Sequence, residues 1–259
     1  MKSAVFNKLL RLVLLLGVSV SVTAAWAVGG PPLVTDDPDT PGDGHWEINL
    51  AAISQRSLSG NTLAAPDADI NYGLGDFLQL KADLPYTYAQ QPGQSWKSGP
   101  GFANYGVKWR FIDEEQAGYS VSTYPQYAHS LSTASTNRGI APAGGQFFLP
   151  LEVSGKVNDF ELDAEIGRNF VQDNPNQWMA GFVVGHECAA EVQCLFEIHE
   201  THTESAPGLA GSNQTLLNLG LNWKLNESLT LLAAVGREFG RQDPDQLHSL
   251  VYLGLQINR

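Results

Sequence analysis

The chain has 259 residues, 27 of them acidic and 15 basic, for a formal net charge of −12. That balance argues against a nucleic-acid partner, whose phosphates select Lys- and Arg-rich surfaces. Beyond residue 27 no apolar run approaches the roughly eighteen residues of a membrane-crossing helix, which excludes a helical membrane protein. A membrane β-barrel stays open, because alternation dilutes its lipid-facing signal.

Lys2, Lys8 and Arg11 precede an apolar run from Leu12 to Val22 that ends at Ala25-Trp26-Ala27. This is the pattern of a secretory signal peptide over residues 1–27, and its apolar core is well short of the roughly twenty residues a spanning helix needs. Three of the 15 basic residues and none of the 27 acidic ones precede Val28, so a chain starting there carries a formal charge near −15. Residues 28–44 form a polar arm rich in Pro and Gly, with Asp36, Asp37, Asp39 and Asp43, a composition that predicts an extended or loosely ordered segment. Two placements are open: a plug inside a barrel, where the carboxylates would meet Lys81, Lys108 or Arg110, or a periplasmic tail.

From residue 45 to residue 259 the dominant pattern has period two, the signature of strands with unlike faces. Trp46, Ile48, Leu50 and Ala52 alternate with Glu47, Asn49 and Ala51. The same alternation runs through Ile70–Leu74, then Leu78–Leu84 after the two-residue turn Gly75-Asp76, and Ala103–Phe111. Further strands are predicted at Tyr119–Tyr127, Phe147–Val157, Phe160–Phe170, Trp178–His186, Cys194–Thr201, Leu216–Leu225, Leu229–Glu238 and Leu250–Asn258. This makes about twelve strands in an all-β chain with at most a helical turn. Connections from odd to even strands read as long (54–66, 89–101, 129–146, 202–213, 240–246), with 173–176 short. Those from even to odd strands are mostly tight. Outer-membrane barrels show this asymmetry, with short periplasmic turns, longer outer loops and an even strand number. The expectation is a closed antiparallel up-and-down transmembrane barrel in the outer membrane, with lipid as its surroundings.

One strand face is apolar, with Trp46, Tyr86, Tyr119, Trp178 and Trp223 toward strand ends. The other includes Glu47, Asp69, Asn71, Lys81, Asp83, Lys108, Arg110, Glu152, Lys156, Glu161, Asp163, Glu165 and Glu197. Burying so many ionisable groups in a dry soluble core would cost several kcal/mol for each uncompensated one, whereas a wet or ion-paired lumen avoids it. Lys81, Asp83, Lys108, Arg110, Glu152, Lys156, Glu161, Asp163, Glu165 and Glu197 therefore form a candidate lumen set. Two roles fit them: a selectivity filter, or ion pairs that fill a narrow barrel. Lys108 and Arg110 on one strand, with Glu161, Asp163 and Glu165 on another, suit either role.

Cys188 and Cys194 are close together in an exported chain, which predicts a local disulfide. His186, His199 and His202 lack the helical spacing of a metalloprotease site. His129 and Ser130 are adjacent on a strand, so they point to opposite faces and make a poor nucleophile–base pair. No phosphate loop or nucleophile elbow appears. The reading is a non-enzymatic chain with no catalytic, metal or cofactor residues.

Gly30-Pro31-Pro32-Leu33-Val34-Thr35-Asp36-Asp37-Pro38, followed by His45-Trp46-Glu47, resembles the phenol-degradation-pathway (MetA-type) transporter family of outer-membrane proteins. Asn71-Tyr72-Gly73, Leu84-Pro85-Tyr86, Tyr105 through Phe111, Tyr124-Pro125-Gln126, Asn218-Leu219-Gly220 and Gly236-Arg237 extend the resemblance over most of residues 30–259. It implies a porin-like barrel that transports small molecules, apolar or aromatic among them, and it carries no catalytic residues. One departure is the end Gln256-Ile257-Asn258-Arg259, where such barrels usually finish on an aromatic residue. A non-conducting structural or partner-binding barrel and a membrane-embedded lipid-modifying enzyme are the alternatives, and no oligomeric state follows from the sequence.

Overall fold

The computed structural model describes residues 30–240 and 244–259; the expected signal peptide, its cleavage site and Arg241–Asp243 lie outside them. Twelve antiparallel strands form the wall, three of them interrupted: β1 (Trp46–Arg56), β2 (Asn61–Leu74), β3 (Leu78–Asp83, resuming as Tyr86–Gln90), β4 (Lys97–Pro100, then Phe102–Ile112), β5 (Tyr119–Thr123, then Gln126–Ser130) and β6 (Gly145–Val157). They continue with β7 (Phe160–Val171), β8 (Gln177–Ala189), β9 (Val192–Thr203), β10 (Ser212–Asn226), β11 (Leu229–Gly240) and β12 (Ser249–Asn258). Neighbours in sequence are neighbours in the sheet, and β1 pairs with both β2 and β12, so the sheet closes. Closure leaves no unpaired edge, which lets strands cross a lipid phase. The last residue takes part, since Trp46 N donates to Arg259 O at 2.7 Å and Arg259 N to Trp46 O at 2.9 Å.

Strand pairing runs past the apolar belt. Gln55 faces Thr62 and Arg56 faces Asn61, so the β1–β2 connection is 57–60 rather than the long loop expected over 54–66. Likewise Lys97–Pro100 pairs with Tyr86–Ala89, which shortens the connection expected over 89–101. Ladder hydrogen bonds belong to the backbone and continue where side chains turn polar, so a hydropathy pattern ends before the strand does. Loops 131–144 and 204–211 stay long, while the opposite end has two-residue turns at 158–159, 190–191 and 227–228. The short-turn end, which carries the start of β1 and the end of β12, corresponds to the periplasmic end of such barrels. Among the described residues two helical turns occur, α1 (Glu114–Ala117), whose first turn the Asp113 side chain caps, and α2 (Thr133–Asn137).

Adjacent strands β3, β4 and β5 break where Pro85, Gly101 and Pro125 fall, and β2 slips register against β1 beside Ala65-Pro66. Proline supplies no ladder N–H. The carbonyls are used instead: Pro85 O accepts from Gly101 N at 2.8 Å and Pro125 O from Val107 N at 3.1 Å.

The two faces separate cleanly. Leu50, Leu80, Val107, Leu151, Ile166, Leu219, Val235 and Leu253 lie exposed on the outer wall. Aromatic residues gather toward the rims, with Trp46, Tyr119, Phe160 and Trp223 near the turn end and Tyr127, Phe147, Phe170 and Trp178 near the loop end. A continuous apolar girdle of this kind is stable against hydrocarbon and unfavourable against water. Among the described residues no helix is long and apolar enough to cross a membrane.

Candidate functional site

The arm occupies the lumen. It is clasped at the turn end: Thr40 Oγ1 donates to Asp76 O at 2.9 Å, Asp43 Oδ1 accepts from Gly75 N at 2.8 Å, and Gly44 N donates to Gly73 O at 3.0 Å. It runs inward to a tight bend, in which Leu33 N donates to Gly30 O at 3.0 Å. Leu33, Val34, Thr35 and Asp36 are buried there. Leu33 packs with Ala51, Val183, Leu232, Ala234 and Tyr252, and Val34 with Leu216 and Leu250, so the bend touches several staves at once.

Polar contacts fix the bend on two sides. Glu197 Oε1 accepts from Val34 N at 3.1 Å and from Thr35 N at 2.5 Å, and Asn218 Nδ2 donates to Glu197 Oε2 at 2.6 Å. Lys108 Nζ pairs with Asp36 Oδ1 at 2.9 Å, donates to Asp37 O, and lies 3.8 Å from Glu152 Oε2. Its ammonium also sits 4.7 Å from the centre of the Tyr124 ring, a cation–π contact in a buried site. Nearer the turn end Arg110 meets Asp39 at 3.4 Å and Asp113 at 3.1 Å.

Other candidate residues face the lumen with different partners. Lys81 pairs with Asp69 at 3.6 Å across β2–β3, and Asp83 lines the same cavity as Asp67. Lys156 pairs with Glu161 at 3.2 Å across the β6–β7 hairpin. Ser122 Oγ donates to Glu152, whose register neighbour is Glu165, and neither Glu165 oxygen accepts a hydrogen bond. Asp163 lines a polar cavity of about 160 Å³ at the turn end. Lys108 and Arg110 therefore do not pair with Glu161, Asp163 or Glu165: β5 and β6 stand between β4 and β7, and the arm and β6 supply the carboxylates instead. Cys188 and Cys194 are joined in a disulfide across the β8–β9 hairpin. Among the described residues no group of three His, Cys, Asp or Glu is arranged to hold a metal ion.

Several residues that position the arm escaped the sequence reading. Two are glycines: a Cβ on Gly73 would fall 1.8 Å from Gly42 O, and one on Gly181 would fall 1.9 Å from Thr35 Oγ1. Only hydrogen at these inward positions lets the arm lie against the wall. Gly181→Val is accordingly expected to unseat the bend while the strand ladder stays intact. Limited proteolysis checks this: arm cleavage should accelerate by on the order of tenfold, with the folded barrel's gel mobility unchanged. Asn218, Tyr124 and Gln79 were also missed; Gln79 Nε2 donates to Tyr124 OH at 2.9 Å and so braces the ring beside Lys108.

No family model matches the sequence, and no curated protein matches it. Among solved structures the fold is similar to the COG4313 outer membrane channel from Pseudomonas putida F1, at 11% identity and a TM-score of 0.65, covering 86% of this chain and 97% of that one. It is also similar to the KdgM porin (10% identity, TM-score 0.56, 82% and 98% covered) and to the NanC porin (6% identity, TM-score 0.55, 81% and 98% covered). With its closed wall and apolar girdle, the chain has the fold of the outer-membrane channel barrels.

Proposed function

We propose that the chain is an outer-membrane conduit for small solutes, held closed in this conformation by its own N-terminal arm. The observation that carries the reading is the bend at Leu33–Asp36, which lies across the lumen and is bound there by Glu197 on one side and Lys108 on the other. A segment held by a few polar contacts and a small apolar patch can leave without disturbing any strand pairing, whereas a packed barrel core cannot. The lumen charges then act mainly as fasteners: Lys108 and Arg110 hold the arm, and Lys156 and Lys81 hold strand to strand.

Small, apolar or aromatic solutes are the proposed cargo, on the resemblance of the Thr35-Asp36-Asp37-Pro38 arm and the His45-Trp46-Glu47 entry to the MetA-type transporters. The apolar lining around the bend, Val34, Met179, Leu216, Leu247 and Leu250, is compatible with that cargo. Liposome swelling with the purified chain, with and without the arm, tests the conduit reading. Solute entry that rises on arm removal supports it, and no entry in either form overturns it.

A further inference from the structure

With the arm seated, three small cavities follow one another along the inner wall formed by β1, β2 and β3, and a fourth lies across the arm from them, against β6 to β10. The first, of about 40 Å³, lies at the loop end beside Ser57, Gln55, Thr62 and Gln91. The second, also about 40 Å³, shares Gln55 and Thr62 with it and adds Thr87, Asp67 and Asp83. A third, of about 30 Å³, shares Ile53, Asp67 and Asp83 with the second and is completed by Asn49, Asp69 and Lys81. On its far side the third cavity shares Pro31, Pro32 and Leu33 of the arm with the 160 Å³ cavity at the turn end.

The atoms turned into this file are mostly oxygens that accept no hydrogen bond, Asp69 Oδ2 being ion-paired with Lys81. Asn49 Oδ1, Asp67 Oδ1, both Asp69 carboxylate oxygens, Asp83 Oδ1, Thr87 Oγ1 and Tyr252 OH are buried and form no hydrogen bond. Asn49 and Thr87 are each only 1% exposed, so these atoms face the cavities and not bulk water. Lys81 is the one basic side chain lining the third cavity, and it lies 3.6 Å from Asp69. Unpaired buried acceptors are costly unless something donates to them or carries positive charge. Cavities of this size hold one or a few water-sized species and no organic solute.

We propose that this file is a path for small monovalent cations past the seated arm, with Asp67, Asp69 and Asp83 as its selectivity-determining residues. It rests on the conduit reading and assigns the closed state a residual, charge-selective leak beside the main lumen. Rings of acidic side chains favour cations at such constrictions. The organic cargo requires the arm to move, and the leak does not.

The test is the reversal potential of the full chain in planar bilayers under a potassium chloride gradient, alongside Asp69→Asn, Asp67→Asn and the arm-deleted form. Cation over anion preference is expected to be on the order of threefold or more in the unaltered chain and to fall toward unity in Asp69→Asn. Asp67→Asn removes a second lining carboxylate at nearly constant side-chain size and gives a second variant that should fold. An unselective leak, or a selectivity that neither substitution changes, overturns the inference. Current only after arm deletion also overturns it while leaving the conduit reading intact, and no current in any form overturns both.

Discussion

Removal of residues 28–40 is expected to raise solute entry into liposomes by on the order of tenfold or more, because twelve strands enclose a lumen that their own side chains do not fill. The wall should survive the deletion. Each strand keeps both neighbours, and the clasp from Asp43 and Gly44 to Gly75 and Gly73 lies outside the deleted stretch. What is lost is local: the apolar contacts of Leu33 and Val34, each worth roughly 1.5 to 3 kcal/mol when fully buried, and the polar contacts at Glu197 and Lys108. Loop residues Ile140, Ala141 and Leu247 stay buried at the loop end, so size exclusion there should persist. Entry of small solutes should therefore increase far more than entry of large ones.

Lys108→Met is expected to lower the barrel's thermal stability and to release the arm together. Lys108 is 2% exposed and lies between Asp36 and Glu152, with Glu165 beside Glu152 in register. Breaking a buried ion pair by removing one partner costs about 3 to 5 kcal/mol, since the remaining charge stays desolvated. Here the arm can withdraw Asp36 into water, which shifts part of that cost into arm release. Asp36→Asn in the Lys108→Met background should recover part of the stability, because one buried carboxylate is gone, but should not reseat the arm. Thermal unfolding followed on gels, with swelling rates for the single and double variants, reads both effects. Unchanged entry in Lys108→Met would remove Lys108 from the closure.

The wall was legible in the sequence because its cause is local. Alternation fixes which face each side chain takes, so Lys81, Lys108, Glu152, Glu165 and Glu197 could be placed inside from their own neighbours. The twelve strands were legible for the same reason, although their ends were not, since pairs such as Gln55 with Thr62 are held by backbone and not by pattern. Ion-pair partners were harder. Lys108 and Glu161 have matching charge and facing, but two strands separate them, and strand order decides contact.

The arm was only half legible. Its acids left two placements open, a plug meeting Lys81, Lys108 or Arg110 or a periplasmic tail, and in the structure Asp36 lies against Lys108 and Asp39 against Arg110. Its ordered bend depends on Glu197, more than 160 residues away, and on hydrogen-sized gaps at Gly73 and Gly181. Nothing in the arm's own composition encodes those, which is why the segment reads as loose. Inward-facing glycines in mid-strand were the available signal, since a strand gives up packing at such positions unless another backbone approaches.

The closure of the lumen by the arm is tested most directly by thiol accessibility. Cys188 and Cys194 are consumed in the disulfide, so Val34→Cys introduces the one reactive thiol into the folded chain. The account predicts that a membrane-impermeant maleimide labels it on the order of a hundredfold more slowly than a cysteine at exposed Asp43, and that Lys108→Met or Gly181→Val abolishes the difference. Equal labelling at both positions in the unaltered barrel would place the bend outside the lumen and contradict the account.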